Sequence, residues 1–220
     1  MNNSDFKLIN IGCGLNPKKN FTNYDHNIFI FFAKVPFLRT LFKKIHFIPF
    51  GYIRFMEVKK EFNILYCDAT KKIPEKSSTV DLVYSSHMIE HLDSKELQSF
   101  FEECKRVLKP NGYLRIVVPD FDYLIDIYNK DSDVDSFIKR SDLVGKKPKS
   151  LVKKIQYILQ GHGWHHQMFN KRSLEKKLTD SGFSNIRFLE TNETSIPFYT
   201  GLDYDEFKEI SLYCECIKPS

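Results

Sequence analysis

The chain has a single tryptophan, no low-complexity tract and no internal repeat. Wholesale disorder is therefore excluded, and a 42% apolar fraction suffices for a sizeable core. Disulfides are not expected either. The five cysteines (Cys13, Cys67, Cys104, Cys214, Cys216) are odd in number and scattered, which fits free buried thiols in a reducing compartment. Cys214-x-Cys216 lacks metal-ligand spacing. No basic stretch leads into a long apolar core near residue 1, so no secretory signal is expected. The longest apolar run, residues 28–33, falls far short of the roughly 20 residues that cross a bilayer. A cytoplasmic location is the expectation.

Charge is concentrated in two places. The net charge is +5, yet residues 28–60 and residues 139–154 each hold seven Lys/Arg against one acid. These are two local basic surfaces on an otherwise acidic chain.

At 220 residues the chain suits one domain with inserts. Phe6-Lys-Leu-Ile-Asn-Ile11 breaks abruptly into Gly12-Cys13-Gly14, which predicts a buried strand ending in a tight turn. Further strands are expected over 22–25, 63–67, 81–85, 113–118, 184–190 and 210–217. The last alternates Leu212, Cys214 and Cys216 with Tyr213, Glu215 and Ile217, which predicts two partly covered faces. Asp93-x-x-Glu96 is a capping box before Leu97, Phe100, Phe101, Cys104, Val107 and Leu108 at helical spacing. Lys109-Pro-Asn-Gly112 should stop that helix and turn the chain. Asn170 can cap a helix carrying Leu174 and Leu178 and closed by Gly182. Alternating strands and helices predict a mostly parallel α/β sheet with covered faces.

Two stretches depart from that rhythm. Between Gly14 and Asp25 there is no room for a crossover helix. Residues 26–60 form an insert with eight phenylalanines, cut by Pro36 and Pro49. Within it, residues 37–45 are amphipathic and could cover the sheet, close over an acceptor, or rest on an anionic membrane surface.

The order of several short motifs resembles the class I S-adenosylmethionine-dependent methyltransferases, and more narrowly a bacterial subgroup associated with surface-polysaccharide synthesis. The matching pieces are Ile9-Asn-Ile-Gly-Cys-Gly14, Asn23-Tyr-Asp25, Asp81-Leu-Val-Tyr-Ser-Ser-His-Met-Ile-Glu-His-Leu92, Glu103-Cys-Lys-Arg-Val-Leu-Lys-Pro-Asn-Gly112, Arg115-Ile-Val-Val-Pro-Asp120, His165-His-Gln-Met-Phe-Asn170, Ser181-Gly-Phe183 and Ser211-Leu-Tyr-Cys-Glu-Cys-Ile-Lys-Pro219. The resemblance implies a Rossmann-like seven-stranded sheet whose last strand is antiparallel, with helices on both faces. It implies one methyltransferase domain over 1–220, with helical inserts at 26–60 and 125–160 forming a cap and acceptor region. It implies S-adenosyl-L-methionine as cofactor, S-adenosyl-L-homocysteine as product, and a sugar hydroxyl, on a nucleotide-activated sugar, as acceptor.

Residue by residue, Gly12, Cys13 and Gly14 would meet the methionine part of the cofactor. Asp25 would accept from the ribose hydroxyls. Asp68 would accept from the adenine amino group, with Ala69 as an apolar flank. Ser85 and Ser86 would lie beside the sulfonium. Leu15-Asn-Pro17 replaces a third glycine, which argues against a dinucleotide site.

An alcohol acceptor benefits from a base near neutral pH, and histidine suits that role. His91 or His165 is the expected base, with Asp120 orienting the acceptor. A helical His87-x-x-Glu90-His91 would put both histidines on one face. The small-RNA 2′-O-methyltransferases carry Glu-x-x-Glu-His and a distant histidine around a divalent ion. Here the pattern is His87-x-x-Glu90-His91 with His165 or His162 later; the first position differs, and no metal is assigned. The basic 139–154 stretch could meet a diphosphate, and Tyr123 or Trp164 could pack against a sugar. No nucleic-acid partner is expected, because the base-stacking motifs of RNA modules are missing. The alternatives are a non-catalytic partner module of the same fold, or a methyltransferase on RNA or a quinone-like small molecule. The acceptor and the oligomeric state are left open.

Overall fold

The computed structural model describes residues 6–32, 50–143, 164–203 and 208–220. The amphipathic stretch 37–45, most of the basic stretch 139–154 and His162 lie outside these residues.

Seven strands form one sheet in the order β3-β2-β1-β4-β5-β7-β6. They are β1 (Leu8–Ile11), β2 (Thr22–Asp25), β3 (Leu65–Tyr66), β4 (Val80–Ser86), β5 (Leu108–Pro119), β6 (Ser184–Leu189) and β7 (Ser211–Ile217). Strand β7 runs antiparallel to both β5 and β6, and the other pairs are parallel. This is the Rossmann-like α/β architecture the motif order implies. The helices are α1 (Phe29–Phe32), α2 (Phe50–Glu61), α3 (Ser94–Val107), α4 (Phe121–Asp131), α5 (Val134–Ser141) and α6 (Lys171–Asp180). Among the described residues no helix is long and apolar enough to cross a membrane.

The capping box on α3 is formed in full, with Asp93 accepting from the amides of Lys95 and Glu96. Leu97, Phe100, Phe101, Cys104 and Val107 are all buried from that helix. They pack with Ile9, Ile11, Val83, Leu114 and Ile116 of the central strands, and with Leu174 and Leu178 of α6. Asn170 caps α6 as expected.

Residues 12–21 join β1 to β2 without a helix, and Asn23 makes this possible. Its side-chain oxygen accepts from Lys18 N at 2.8 Å and from Asn10 Nδ2 at 3.0 Å. Its amide donates to the carbonyls of Lys18 and Phe21. One buried side chain thus satisfies the polar backbone that a helix would otherwise have paired internally.

Three expectations need correction. Lys109–Gly112 does not separate α3 from the next strand. It is a bulge inside β5, between the Val80↔Leu108 and Leu82↔Tyr113 pairings. Residues 212–216 of β7 are buried on both faces, Glu215 included, because Arg115 supplies a buried partner. The segment after β4 is also not an α-helix. His87 has a left-handed backbone (φ 50°), and only Ile89–His91 forms a short 3₁₀ turn. His87 and His91 therefore do not share a helical face.

Candidate functional site

The carboxyl ends of β1, β2 and β4 converge on the glycine loop. Gly12 and Gly14 both have positive φ, at 70° and 51°. They differ in what stands above them. A Cβ on Gly12 would lie 2.5 Å from Met88 Cγ, whereas nothing stands within 4 Å of one on Gly14. The close approach at Gly12 is thus made by a side chain of the protein, and the open space belongs to Gly14.

Asp25 pins this loop. Oδ2 accepts from Gly14 N at 2.7 Å and Oδ1 from Asn27 N at 2.8 Å. Burial pushes its carboxyl above the usual range, against the pull of those two amides. A carboxylate has about four acceptor positions, so both oxygens keep capacity for a ligand. Asp68 closes the turn after β3, accepting from Thr70 N and Oγ1 and pairing with Lys71 at 2.9 Å. Burial works against its charge, but the Lys71 and Thr70 hydrogen bonds outweigh it and hold the carboxyl below its usual range. Ala69 is buried in the main core.

A cavity of about 140 Å³ lies under the loop, lined by residues that include Gly12, Cys13, Gly14, Tyr84, Ser86 and His87. Ser85 points away from it. It is buried, and its hydroxyl has no hydrogen bond among the described residues. Pockets for whole cofactors run from about 300 Å³ upward. This space therefore fits the amino-acid end of such a molecule, and the rest would extend past Asp25 and Asp68. The thiol of Cys13 is raised by burial and then by Asp25. It packs with Phe29, Ile30, Phe55 and Met56, so both described helices of the insert rest on the glycine loop.

A second cavity of about 430 Å³ opens at the carboxyl end of β5, lined by Asp120, Tyr123, Lys171, Lys208 and Ser211 among others. Asp120 caps α4 through Asp122 N, and burial raises its carboxyl. His87, which lines the first cavity, lies with its Nε2 3.0 Å from the Oγ of Ser211, which lines the second.

Behind β4 stands the histidine cluster. Glu90 is fully buried, with Oε1 3.5 Å from His87 Nδ1 and 4.0 Å from His165 Nε2. The His91 and His165 rings lie 5.1 Å apart. Burial, opposed by Glu90, lowers the basicity of His165. The sequence expectation covers His91 and His165, but neither the central position of Glu90 nor the contact of Ser211 with His87. The Glu90-His91 pair was visible in the motif, while no local signal tied Ser211 to it.

Residues 53–116 match the family described as "Methyltransferase domain". A SAM-dependent methyltransferase from Methanosarcina mazei superposes with a TM-score of 0.53 at 16% identity, covering 98% of this chain and 93% of that one. A Thermotoga maritima SAM-dependent methyltransferase, described as a possible histamine N-methyltransferase, superposes at 0.52 with 17% identity, covering 96% and 82%. None of the curated proteins matches the chain. The fold is that of the SAM-dependent methyltransferases.

Proposed function

We propose that this chain is an S-adenosyl-L-methionine-dependent O-methyltransferase that acts on a sugar hydroxyl, carried on a nucleotide-activated sugar for surface-polysaccharide synthesis. The observation that carries methyl transfer is the Gly12-x-Gly14 loop. It is left-handed at both glycines, open above Gly14, and held by Asp25 at the carboxyl edge of the sheet. The partial match to the methyltransferase family supports the same reading.

Gly12, Cys13, Gly14 and Ser86 would hold the methionine end of the donor. Asp25 would take the ribose hydroxyls, and Asp68 with Ala69 would flank the adenine. The bound donor supplies an activated methyl group, and transfer needs the acceptor oxygen held in line about 3 Å from it. The larger cavity beside His87 suits the acceptor, with Asp120 to orient it and Tyr123 to pack against a ring. His91 or His165 would take the acceptor's proton. Residues 26–60 and 125–160 would act as the cap over this region of a single domain. S-adenosyl-L-homocysteine would leave as product.

Calorimetric titration with S-adenosyl-L-homocysteine tests the donor site. Asp25→Ala should weaken binding about tenfold or more, since a hydrogen bond to a charged group contributes about 1.5–3 kcal/mol. Unchanged affinity in Asp25→Ala would remove Asp25 from the site, and no binding to the wild type would end the methyltransferase reading. Incubating nucleotide-sugars with the donor and looking for the mass of one added methyl tests the acceptor.

A further inference from the structure

Glu90 is a buried carboxylate with an unmet need. It is 1% exposed, and neither carboxylate oxygen has a hydrogen bond among the described residues. An ionised carboxylate persists in such a place only beside a compensating positive charge or a metal ion. What surrounds it is imidazole. One donor atom from each of Glu90, His91 and His165 lies within 4.8 Å of the other two.

The local fold holds these groups together across 74 residues of sequence. Glu90 O accepts the amides of His166 at 2.8 Å and Gln167 at 3.1 Å. Gln167 Nε2 donates to Leu92 O at 2.9 Å. His91 Nδ1 sits 3.1 Å from Trp164 O. A carbonyl oxygen only accepts, so Nδ1 is the donor here, and in the neutral ring Nε2 keeps its lone pair. A backbone carbonyl behind an imidazole is how the ring of a metal-binding histidine is commonly oriented.

We propose that Glu90, His91 and His165 bind a divalent first-row transition ion, reversing the sequence expectation of no metal. Donors at about 2.0–2.2 Å around a tetrahedral ion lie roughly 3.4 Å apart, so the three groups need to close by about an ångström. Two imidazoles and one carboxylate suit such ions and leave positions for water or acceptor oxygens. An ion here would occupy the lone pairs that proton removal by His91 or His165 would need. It would then take over from them the task of making the acceptor oxygen nucleophilic.

The test is direct binding. The full chain is stripped with a chelator and titrated with Co²⁺ by visible absorption, then challenged with Zn²⁺. One Co²⁺ per chain with ligand-field bands, displaced by Zn²⁺, is expected. Glu90→Gln and His165→Asn should each weaken binding about tenfold or more, and His166→Asn at the exposed neighbour should not. Circular dichroism checks each variant's fold. If Glu90→Gln fails to fold, His91→Asn takes its place. No stoichiometric Co²⁺ on the wild type, or full affinity in folded His165→Asn, overturns the site. The titration uses neither donor nor acceptor, so its failure leaves methyl transfer standing, and failure of donor binding leaves the ion site standing.

Discussion

A single carbon decides the glycine loop. Alanine at position 12 would adopt a left-handed backbone at about 1–2 kcal/mol and drive its Cβ into Met88. Overpacking adds about 1–3 kcal/mol. Gly12→Ala should therefore lower the urea midpoint clearly. Gly12→Ala/Met88→Ala should recover only the steric part relative to Met88→Ala alone, and full recovery would show that the backbone angle costs nothing.

Lys18 offers a pH test at the same scale. Its ammonium donates to Leu202 O and lies over the Tyr84 ring. Burial, helped by Arg115 and opposed by Asp203, brings its pKa down to about 8. The unfolded chain keeps that proton to about pH 10.4, so between about pH 8 and 10.4 the unfolded state binds more protons. The stability of the wild type relative to Lys18→Met should thus rise with pH across this window, by a few kcal/mol at most. A flat difference in urea unfolding would contradict it. The turn at Gly12 and the strand-end positions of Asp25 and Asp68 were legible because a turn glycine and strand-end acids are local signals. Asn23, Met88 and Ser211 were not, because their roles depend on partners far away in the chain or on another strand.

Among the elements, α3 was the most legible. Its box and its apolar face both follow from residues within one helix length. Asp93→Ala removes the cap from two amides and should cost about 0.5–2 kcal/mol in thermal or urea unfolding. No loss would mean that tertiary packing alone holds the first turn. Elements whose form depends on neighbours were read less well. The Pro-Asn-Gly signal in Lys109–Gly112 is a genuine turn, but Lys218 pairs with Gly112 and Asn111 and keeps it in the sheet as a bulge. The His87–His91 spacing suggested a helix, yet the His87 amide bonds to Val117 O and the chain turns left-handed there.

At the scale of the molecule, the seven-stranded sheet and the antiparallel β7 were legible because they accompany the ordered motifs. The charge network that fastens the far side of the sheet was not. Arg115 is fully buried and pairs with Glu215 at 2.6 Å and with Asp203. It also donates to Glu193 O at 2.9 Å. Glu215 in turn accepts from Thr194 Oγ1, Ser195 N and Ser195 Oγ. The guanidinium so ties the 190–203 loop to β5 and β7. Removing one member of a buried ion pair costs about 3–5 kcal/mol, because its partners stay charged. Arg115→Met should thus be severely destabilised or insoluble, whereas Arg140→Met, at an exposed pair with Asp131, should change stability by about 1 kcal/mol or less. Comparable melting temperatures for the two variants would refute this ranking.

The reversed direction of β7 has a practical outcome for anyone attaching a reporter. Ser211 enters beside Pro119, next to both cavities, and Ile217 leaves beside Tyr113 at the opposite rim. A fluorophore or affinity handle placed after Ser220 would hang near Asn111, a full strand length from the glycine loop. It could signal occupancy without standing in the doorway.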